Sequence, residues 1–227
     1  MRFDVITLFP EIFSAITQNG ITARALKRKL WSLNTWNPRE ETLDNHRTID
    51  DRPFGGGPGM VMMAEPLART VDRIRASGNQ GRVISFAPNG EKLTDEKVRH
   101  WVADGKDLIF VCGRYEGIDQ RFLDAYVDEV ISIGDFVLSG GELPAMTVID
   151  ALVRQIPGAI KELSTLDESF STGLLDAPHY TRPEVWRGML VPEVLMSGHH
   201  ANIAQWTRTK SLEITLQTLS LIHISEP

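Results

Sequence analysis

The stretch Ser132-Ile133-Gly134-Asp135-Phe136-Val137-Leu138-Ser139-Gly140-Gly141-Glu142-Leu143-Pro144 decides the fold of this chain. The β-branched run at 130–133 predicts a buried strand. Gly134 permits a sharp turn, and Gly140 and Gly141 let the backbone approach a ligand closely. Pro144 stands where a helix begins, and apolar residues follow it at helical spacing. A strand, a glycine loop and a helix in this order form a common ligand-binding corner of α/β proteins.

Two similar strand–loop–helix units precede this stretch. The three predicted strands are residues 82–86, 107–112 and 127–133, and the loops after them are residues 87–90, 113–117 and 134–141. Strands that alternate with helices at this spacing predict a parallel α/β sheet. Ligands of such sheets bind beyond the carboxyl ends of the strands. We therefore expect the three loops to form one pocket.

The other predicted elements frame these units. Strands are predicted at 2–8 and 30–35, and helices from Pro10, at 22–30, at 66–76, from Thr94 as N-cap and at 201–216. Residues 159–181 lack sustained periodicity and are interpreted as a linker between a main domain at 1–158 and a small helical domain at 182–227. Four glycines and two prolines in residues 52–60 exclude a helix or central strand there. Three interpretations of that segment stay open: a mobile lid or a backbone-rich substrate contact, which are favoured, and a rigid turn.

Composition narrows the class of protein. The 227 residues carry a net charge of −6 and one cysteine, and 42% are hydrophobic. No run approaches the ~20 apolar residues of a membrane span, and no secretory leader pattern is visible. A single cysteine fits a reducing compartment, so we expect a cytoplasmic globular protein. One basic cluster, Arg24, Lys27, Arg28 and Lys29, is either a solvated helix face or a nucleic-acid contact.

Several chemistries are disfavoured by missing motifs. Cys112 ends an apolar strand without a histidine nearby, which favours a small buried hydrophobe over a nucleophile. No zinc-like Cys/His spacing, Gly-x-Ser-x-Gly elbow or Gly-x-Gly-x-x-Gly fingerprint is present. Acidic Glu116 and Asp135 could each pair with a ligand ammonium, and Arg154 could stabilise an oxyanion. The pair Asp167 and Glu168 could supply a general base from a moving segment.

Four motifs together are more specific than any one of them. Residues 52–63, 111–119, 132–146 and 173–183 resemble the bacterial tRNA (guanine-N(1)-)-methyltransferase family, which is TrmD-type and belongs to the SPOUT superfamily. The likeness extends from Met1 to about Lys210 in the same order and nearly the same spacing. It implies a parallel sheet with a deep trefoil knot that binds S-adenosyl-L-methionine, and a homodimer with active sites built across its two-fold axis.

The implied reaction is methyl transfer to ring nitrogen 1 of the guanosine immediately 3′ of the anticodon in tRNA. The family's dependence on a divalent ion makes magnesium a further expectation, although the sequence shows no dedicated ligand cluster. The cofactor contacts implied by the resemblance are Phe86, Ala87, Pro88, Gly113, Tyr115, Glu116, Ile133, Gly134, Asp135, Phe136, Val137, Leu138, Gly140, Gly141 and Pro144. Arg154 matches the arginine proposed to stabilise charge on the guanine carbonyl.

The sequence departs from the family in two places that matter. The family base is an aspartate in a Glu-Asp-Ser-Phe context, whereas this chain reads Asp167-Glu168-Ser169-Phe170, so either acidic residue could be the base. Residues 219–227 also differ from the basic tail of the family. A catalytically silent RNA-binding module of the same fold is therefore a second hypothesis. A third is an α/β enzyme acting on another nucleotide-like ligand.

Overall fold

The computed structural model describes residues 1–160, 169–170 and 173–223, with side chains up to residue 218. The strands are β1 Arg2–Ile6, β2 Ser32–Trp36, β3 Asp50–Asp51, β4 Val61–Met62, β5 Arg82–Lys92, β6 Leu108–Val111, β7 Glu129–Ser132, β8 Val185–Trp186 and β9 Met189–Leu190. The α-helices are α1 Ser14–Thr17, α2 Gly20–Lys27, α3 Ala64–Ala76, α4 Asp95–Asp104, α5 Gln120–Tyr126, α6 Glu142–Gln155, α7 Glu193–Met196 and α8 His200–His223. Single 3₁₀ turns span Pro10–Phe13 and Pro38–Glu41.

A parallel five-stranded sheet forms the centre of residues 1–160. Its strand order is β2-β1-β6-β5-β7, and every neighbouring pair is parallel. The prediction of a parallel α/β sheet is confirmed. Since β5, β6 and β7 are neighbours and point the same way, their carboxyl ends meet at one edge of the sheet.

Both faces of the sheet are covered by helices, because alternate strand residues point to opposite sides. On one face Phe3 and Phe110 pack in a cluster that includes Trp101 of α4 and residues of α2 and α6. On the other face Val83 and Ile109 pack against α3 and α5. The two apolar layers fix the strands, and therefore the loops that leave them.

Asp4 of β1 is fully buried at the centre of a hydrogen-bond cluster. Its carboxylate pairs with Arg2 at 2.7 Å and accepts hydrogen bonds from the side chains of Asn34, Trp36 and Asn79. A buried carboxylate is costly unless it is paired and hydrogen-bonded, and this one is both. The cluster ties β1 to β2 and to the segment that enters β5.

Strand β5 is longer than the sequence predicts. It continues to Lys92, but its pairing with β7 is interrupted, since Phe86 and Glu91 both face Ile131. Residues 87–90 therefore leave the ladder and form an excursion within the strand. The predicted loop at 87–90 is found as an irregularity of one long strand.

Helix α2 is displaced from its predicted range of 22–30. It begins at Gly20 and ends at Lys27, and Lys29 adopts a left-handed conformation with φ 59°. The amide of Leu30 then donates to the carbonyl of Ala25, which closes the helix end. A lysine takes the position usually held by glycine, so no stop signal is visible in the sequence. The strand predicted from residue 30 begins at Ser32, two residues later.

The chain divides into two compact units, Met1–Ile160 and Lys161–Pro227. In the second unit β8 and β9 form an antiparallel hairpin. Thr215 of α8 accepts a hydrogen bond from the amide of Leu175, and the rings of Tyr180 and Trp206 lie 6.3 Å apart. Among the described residues, no helix is long and apolar enough to cross a membrane.

An ionic cluster joins β5, β7 and α4. Glu129 accepts hydrogen bonds from Arg82 at 2.8 Å and from Lys97 at 2.6 Å. Burial opposes ionisation of this carboxyl, but the hydrogen bonds from Lys97 and Arg82 outweigh it and hold the pKa of Glu129 below its ordinary value of 4.5. Because the folded-state pKa is the lower one, Glu129 stabilises the fold above its unfolded pKa. That contribution is lost as the pH falls through the folded pKa.

We expect Glu129→Gln to lower the free energy of unfolding near neutral pH. The deficit should begin to shrink as the pH falls below about 4.5, where the unfolded chain takes up the proton first. It should disappear once the pH has passed the lower folded-state pKa, because the wild-type carboxyl is then protonated in the folded protein as well. Urea denaturation across this pH range measures the difference. The variant Glu96→Gln, which removes an exposed carboxyl of α4, controls for the change in net charge. A deficit that stays constant at every pH would contradict this account of the cluster.

Candidate active site

One cavity lies at the carboxyl edge of β5, β6 and β7. It has a volume of about 560 Å³ and is lined by the three loops that leave these strands. The lining includes Ser85–Asn89, Gly113–Ile118 and most of the stretch from Val130 to Gly141. The volume lies within the roughly 300–1,000 Å³ range of small-molecule sites. The three loops thus form one pocket, as the sequence predicts.

All but one of the fifteen residues expected to contact a cofactor line this cavity. The exception is Asp135, whose side chain is 80% exposed and lies 3.7 Å from Lys92. Gly134 has φ +153°. Its amide donates to the hydroxyl of Ser132, and that hydroxyl donates to the carbonyl of Gly134. This local turn is followed by a side chain that points to solvent. The sequence pattern identified the loop but could not give the direction of Asp135.

Close backbone contact between two loops shapes the cavity. The amide of Gly141 donates to the carbonyl of Gly113 at 3.0 Å. A Cβ atom at position 141 would lie 2.7 Å from Cα of Cys112, which is part of the backbone. Gly141 has φ −80°, so glycine is required here for space and not for conformation. Gly141 therefore serves a close approach between two loops of the protein, whereas the sequence predicts a close approach of this glycine pair to a ligand.

The glycine-rich segment at 52–60 closes the β3–β4 hairpin and packs behind the second loop. The amide of Glu116 donates to the carbonyl of Met60 at 2.9 Å, and that of Met62 to Gly117 at 2.9 Å. A Cβ atom at Gly59 would collide with the side chain of Glu116. The end of the segment, at Gly59 and Met60, thus supports an exposed acidic residue at the pocket.

Tyr115 precedes this acidic residue in a left-handed conformation, with φ 60°. Its hydroxyl accepts a hydrogen bond from Arg39 at 3.4 Å. Burial and a hydrogen bond to Asp50 raise the pKa of Tyr115, so the phenol stays protonated at neutral pH. The positive φ turns the 113–117 loop over the cavity.

Cys112 is buried, in agreement with its interpretation as a small hydrophobe. Burial raises the pKa of its thiol well above the ordinary value, and the charge of Glu142 raises it further. A nucleophilic cysteine requires the opposite, a thiolate stabilised in an accessible site. Cysteine chemistry is therefore excluded at this edge of the sheet.

Of the three residues expected to carry catalysis, Arg154 alone lies in the described part of the chain, and it does not line the cavity. Arg154 is half-buried in the last turn of α6, whose first turn borders the pocket. Asp167 and Glu168 lie outside the described residues. Within the described ranges, no group of three or more His, Cys, Asp or Glu side chains is placed to hold a metal ion.

Sequence reasoning missed a pair of charged residues beside the pocket. Arg114 and Glu142 form an ion pair at 2.9 Å, and Glu142 is almost completely buried. The position of Glu142 could have been noticed in the sequence, because the helix dipole favours an acidic residue at the start of a helix such as α6. Its arginine partner lies 28 positions earlier in the chain, and no local pattern connects them.

Comparison with known proteins gives a consistent result. A family model described as tRNA (Guanine-1)-methyltransferase TrmD matches residues 1–222. The chain is 55% identical over 221 residues to the tRNA (guanine-N(1)-)-methyltransferase of Janthinobacterium sp. (strain Marseille), covering 95% of this chain and 88% of that protein. It is 56% identical over 220 residues to the protein of the same name from Thiobacillus denitrificans, covering 95% and 93% respectively.

The contact between the two loops predicts unequal effects at neighbouring glycines. Gly141→Ala should destabilise the fold by about 1–3 kcal/mol, because its Cβ would press on backbone that has no room to move. Gly113→Ala is the matched control, since the added Cβ would lie 3.4 Å from the side chain of Ile118, an ordinary contact. Urea denaturation at neutral pH measures both. Equal losses in the two variants would contradict the steric argument.

Proposed function

The chain belongs to the tRNA (guanine-1)-methyltransferase family, and on that premise we propose the details of its reaction. The methyl group comes from S-adenosylmethionine. The acceptor is ring nitrogen 1 of the guanosine immediately 3′ of the anticodon in tRNA. The observation that carries this proposal is the single cavity formed by the loops after β5, β6 and β7.

The residues of the cavity fit S-adenosylmethionine chemically. Phe86, Leu138 and Pro144 offer apolar surface for an adenine ring, and the glycines expose backbone donors and acceptors to its polar edge. The carboxylate of Glu116 would pair with the ammonium of the methionine part. When bound, the cofactor supplies a methyl group activated by a positively charged sulfur.

The proposed fold of this cavity is a deep trefoil knot. Because threaded chains are rare in proteins, strand order alone is no basis for assigning a knot. Two observations support the proposal: the family membership and the backbone contact between Gly141 and Gly113, which brings the two loops together without side chains between them.

We further propose that the active enzyme is a homodimer with shared sites. Arg154 lies twelve residues after Glu142 on α6, about 18 Å along the helix axis at 1.5 Å per residue. Because Arg154 lies that far along the helix from the pocket of its own chain, we propose that it acts at the guanine carbonyl in the site of a second chain. Val137 and Leu143, which are 85% and 53% exposed beside the pocket, supply apolar surface for such an interface.

The proposed chemistry needs a base and an anion stabiliser. Ring nitrogen 1 of guanine carries a proton, which a carboxylate from Asp167 or Glu168 removes as the nitrogen forms its bond to the methyl carbon. The methyl–sulfur bond breaks with its electron pair left on sulfur, which loses its positive charge. The guanidinium of Arg154 would stabilise negative charge that develops on the guanine carbonyl oxygen.

The tRNA would contact both units of the chain. Arg24, Lys27, Arg28 and Lys29 lie exposed on and just after α2, and together they supply positive charge that phosphates attract. Arg28 also donates to the carbonyl of Gly158 at 2.5 Å, so part of this cluster is held in place. We assign residues 1–158 to methyl transfer, 159–181 to a linker and 182–227 to a small helical tRNA-binding domain.

Single-turnover methylation tests the proposed function. Two tRNA transcripts that differ only in guanosine or adenosine immediately 3′ of the anticodon are mixed with labelled S-adenosylmethionine, with and without magnesium. We expect transfer to the guanosine transcript alone. Cofactor binding without transfer to either transcript would favour the catalytically silent RNA-binding module. Tighter binding of another nucleotide-like ligand would favour a different enzyme of this fold.

The identity of the base has a separate test. In single-turnover assays, Asp167→Ala or Glu168→Ala should lower the rate by roughly a hundredfold or more, the usual contribution of a general base. The affinity for S-adenosylmethionine should stay unchanged, because the base acts on the guanine. Glu162→Ala removes a carboxylate from the same segment and serves as control. Full rates in both variants would end the assignment.

A further inference from the structure

A buried carboxylate lies beneath the proposed cofactor pocket. Glu142 begins α6 and is 1% exposed. One of its oxygens accepts a hydrogen bond from the hydroxyl of Thr7 at 2.8 Å, and the other lies 2.9 Å from the guanidinium of Arg114. A carboxylate removed from water in this way remains charged only if it is paired, so Arg114 neutralises it.

Arg114 makes contacts to three different segments of the chain. Nη2 faces Glu142, and Nη1 donates to the carbonyl of Ser139 at 3.1 Å. The guanidinium also lies over the ring of Phe9, with 4.5 Å between its carbon and the ring centroid. The two terminal nitrogens thus have different partners, whereas Nε is buried without a hydrogen-bond partner. The planar guanidinium and its contact with the ring of Phe9 fix the direction of both terminal nitrogens.

The glycine at position 140 provides the space for this arrangement. A Cβ atom there would collide with the guanidinium and would lie 2.6 Å from Cδ of Arg114. Ser139, Gly140 and Arg114 itself line the cavity, whereas the carboxylate of Glu142 lies behind it. The guanidinium therefore links the buried carboxylate to the backbone of the loop that forms the pocket wall.

We propose that Arg114 is a positioning residue for the cofactor pocket. One branch of its guanidinium anchors to Glu142, and the other holds the Ser139 carbonyl, which sets the 134–141 loop before the cofactor arrives. This inference rests on the proposed function, since it assumes that S-adenosylmethionine binds in this cavity. A role in stability alone would require only the neutralisation of Glu142 and would not depend on Ser139.

The variant Arg114→Lys separates the two roles. A lysine keeps a positive charge opposite Glu142, but its single nitrogen cannot also hold the Ser139 carbonyl. We expect the Kd for S-adenosylmethionine to rise about tenfold, equal to the loss of one charge-assisted hydrogen bond, with little change in Tm. The single-turnover rate at saturating cofactor should remain close to that of the wild type.

The double variant Arg114→Met with Glu142→Met gives an independent test. Replacing a buried ion pair by apolar side chains is often neutral or stabilising, whereas Arg114→Met alone leaves an unpaired buried charge. We expect the double variant to recover most of the Tm lost in Arg114→Met. Its Kd for S-adenosylmethionine should stay raised, because the contact to Ser139 is still absent.

The matched control is Arg2→Lys at the opposite edge of the same sheet. Arg2 also pairs with a buried carboxylate, that of Asp4. The guanidinium of Arg2 also donates to the carbonyl and the hydroxyl of Ser77, contacts that a lysine cannot keep together with the ion pair. This variant should therefore lower Tm without changing the Kd. An unchanged Kd in Arg114→Lys, or recovery of Kd together with Tm in the double variant, would overturn the inference and leave the proposed function standing. Failure of the wild-type chain to bind S-adenosylmethionine in the same titration would overturn both.

Discussion

The structure of the pocket depends on the contact between the backbones of two loops, at Gly141 and at Cys112–Gly113. The amide of Gly141 is bonded to the carbonyl of Gly113, and no side chain fits between the two segments. This contact places the start of α6 directly against the end of β6. The floor of the cavity, the burial of Glu142 and the position of Arg114 all follow from it, since each requires the loops to be this close.

The two edges of the sheet use polar groups in different ways. At the amino edge the carboxylate of Asp4 receives hydrogen bonds from its surroundings and has no capacity left for a ligand. At the carboxyl edge the loops leave the ladder, and backbone groups face a cavity. Of the acidic side chains at that edge, Glu142 lies buried behind the wall, and Glu116 lies exposed at the rim. The polar groups at the amino edge thus hold the strands together, whereas those at the carboxyl edge face a cavity and can bind a ligand.

Sequence reasoning succeeded where the signal was local. The three loops were predicted because β-branched runs end at glycines, and the parallel sheet because strands alternate with helices. It failed where the answer depended on distant contacts. The direction of Asp135 and the pairing of Arg114 with Glu142 depend on how neighbouring loops pack. The end of α2 was missed for a local reason, because Lys29 adopts a conformation that glycine usually takes. The two candidates for the general base, Asp167 and Glu168, lie outside the described part of the chain.

The cavity wall made of main-chain atoms has a consequence for inhibition. Side chains can be exchanged by mutation, but the peptide groups of residues 134–141 and 113 are present whatever the sequence. Alanine at position 140 or 141 would collide with Arg114 or with the backbone of Cys112. A competitive inhibitor that hydrogen-bonds to these peptide groups would leave few single substitutions that confer resistance, because the changes that remove its contacts also damage the fold.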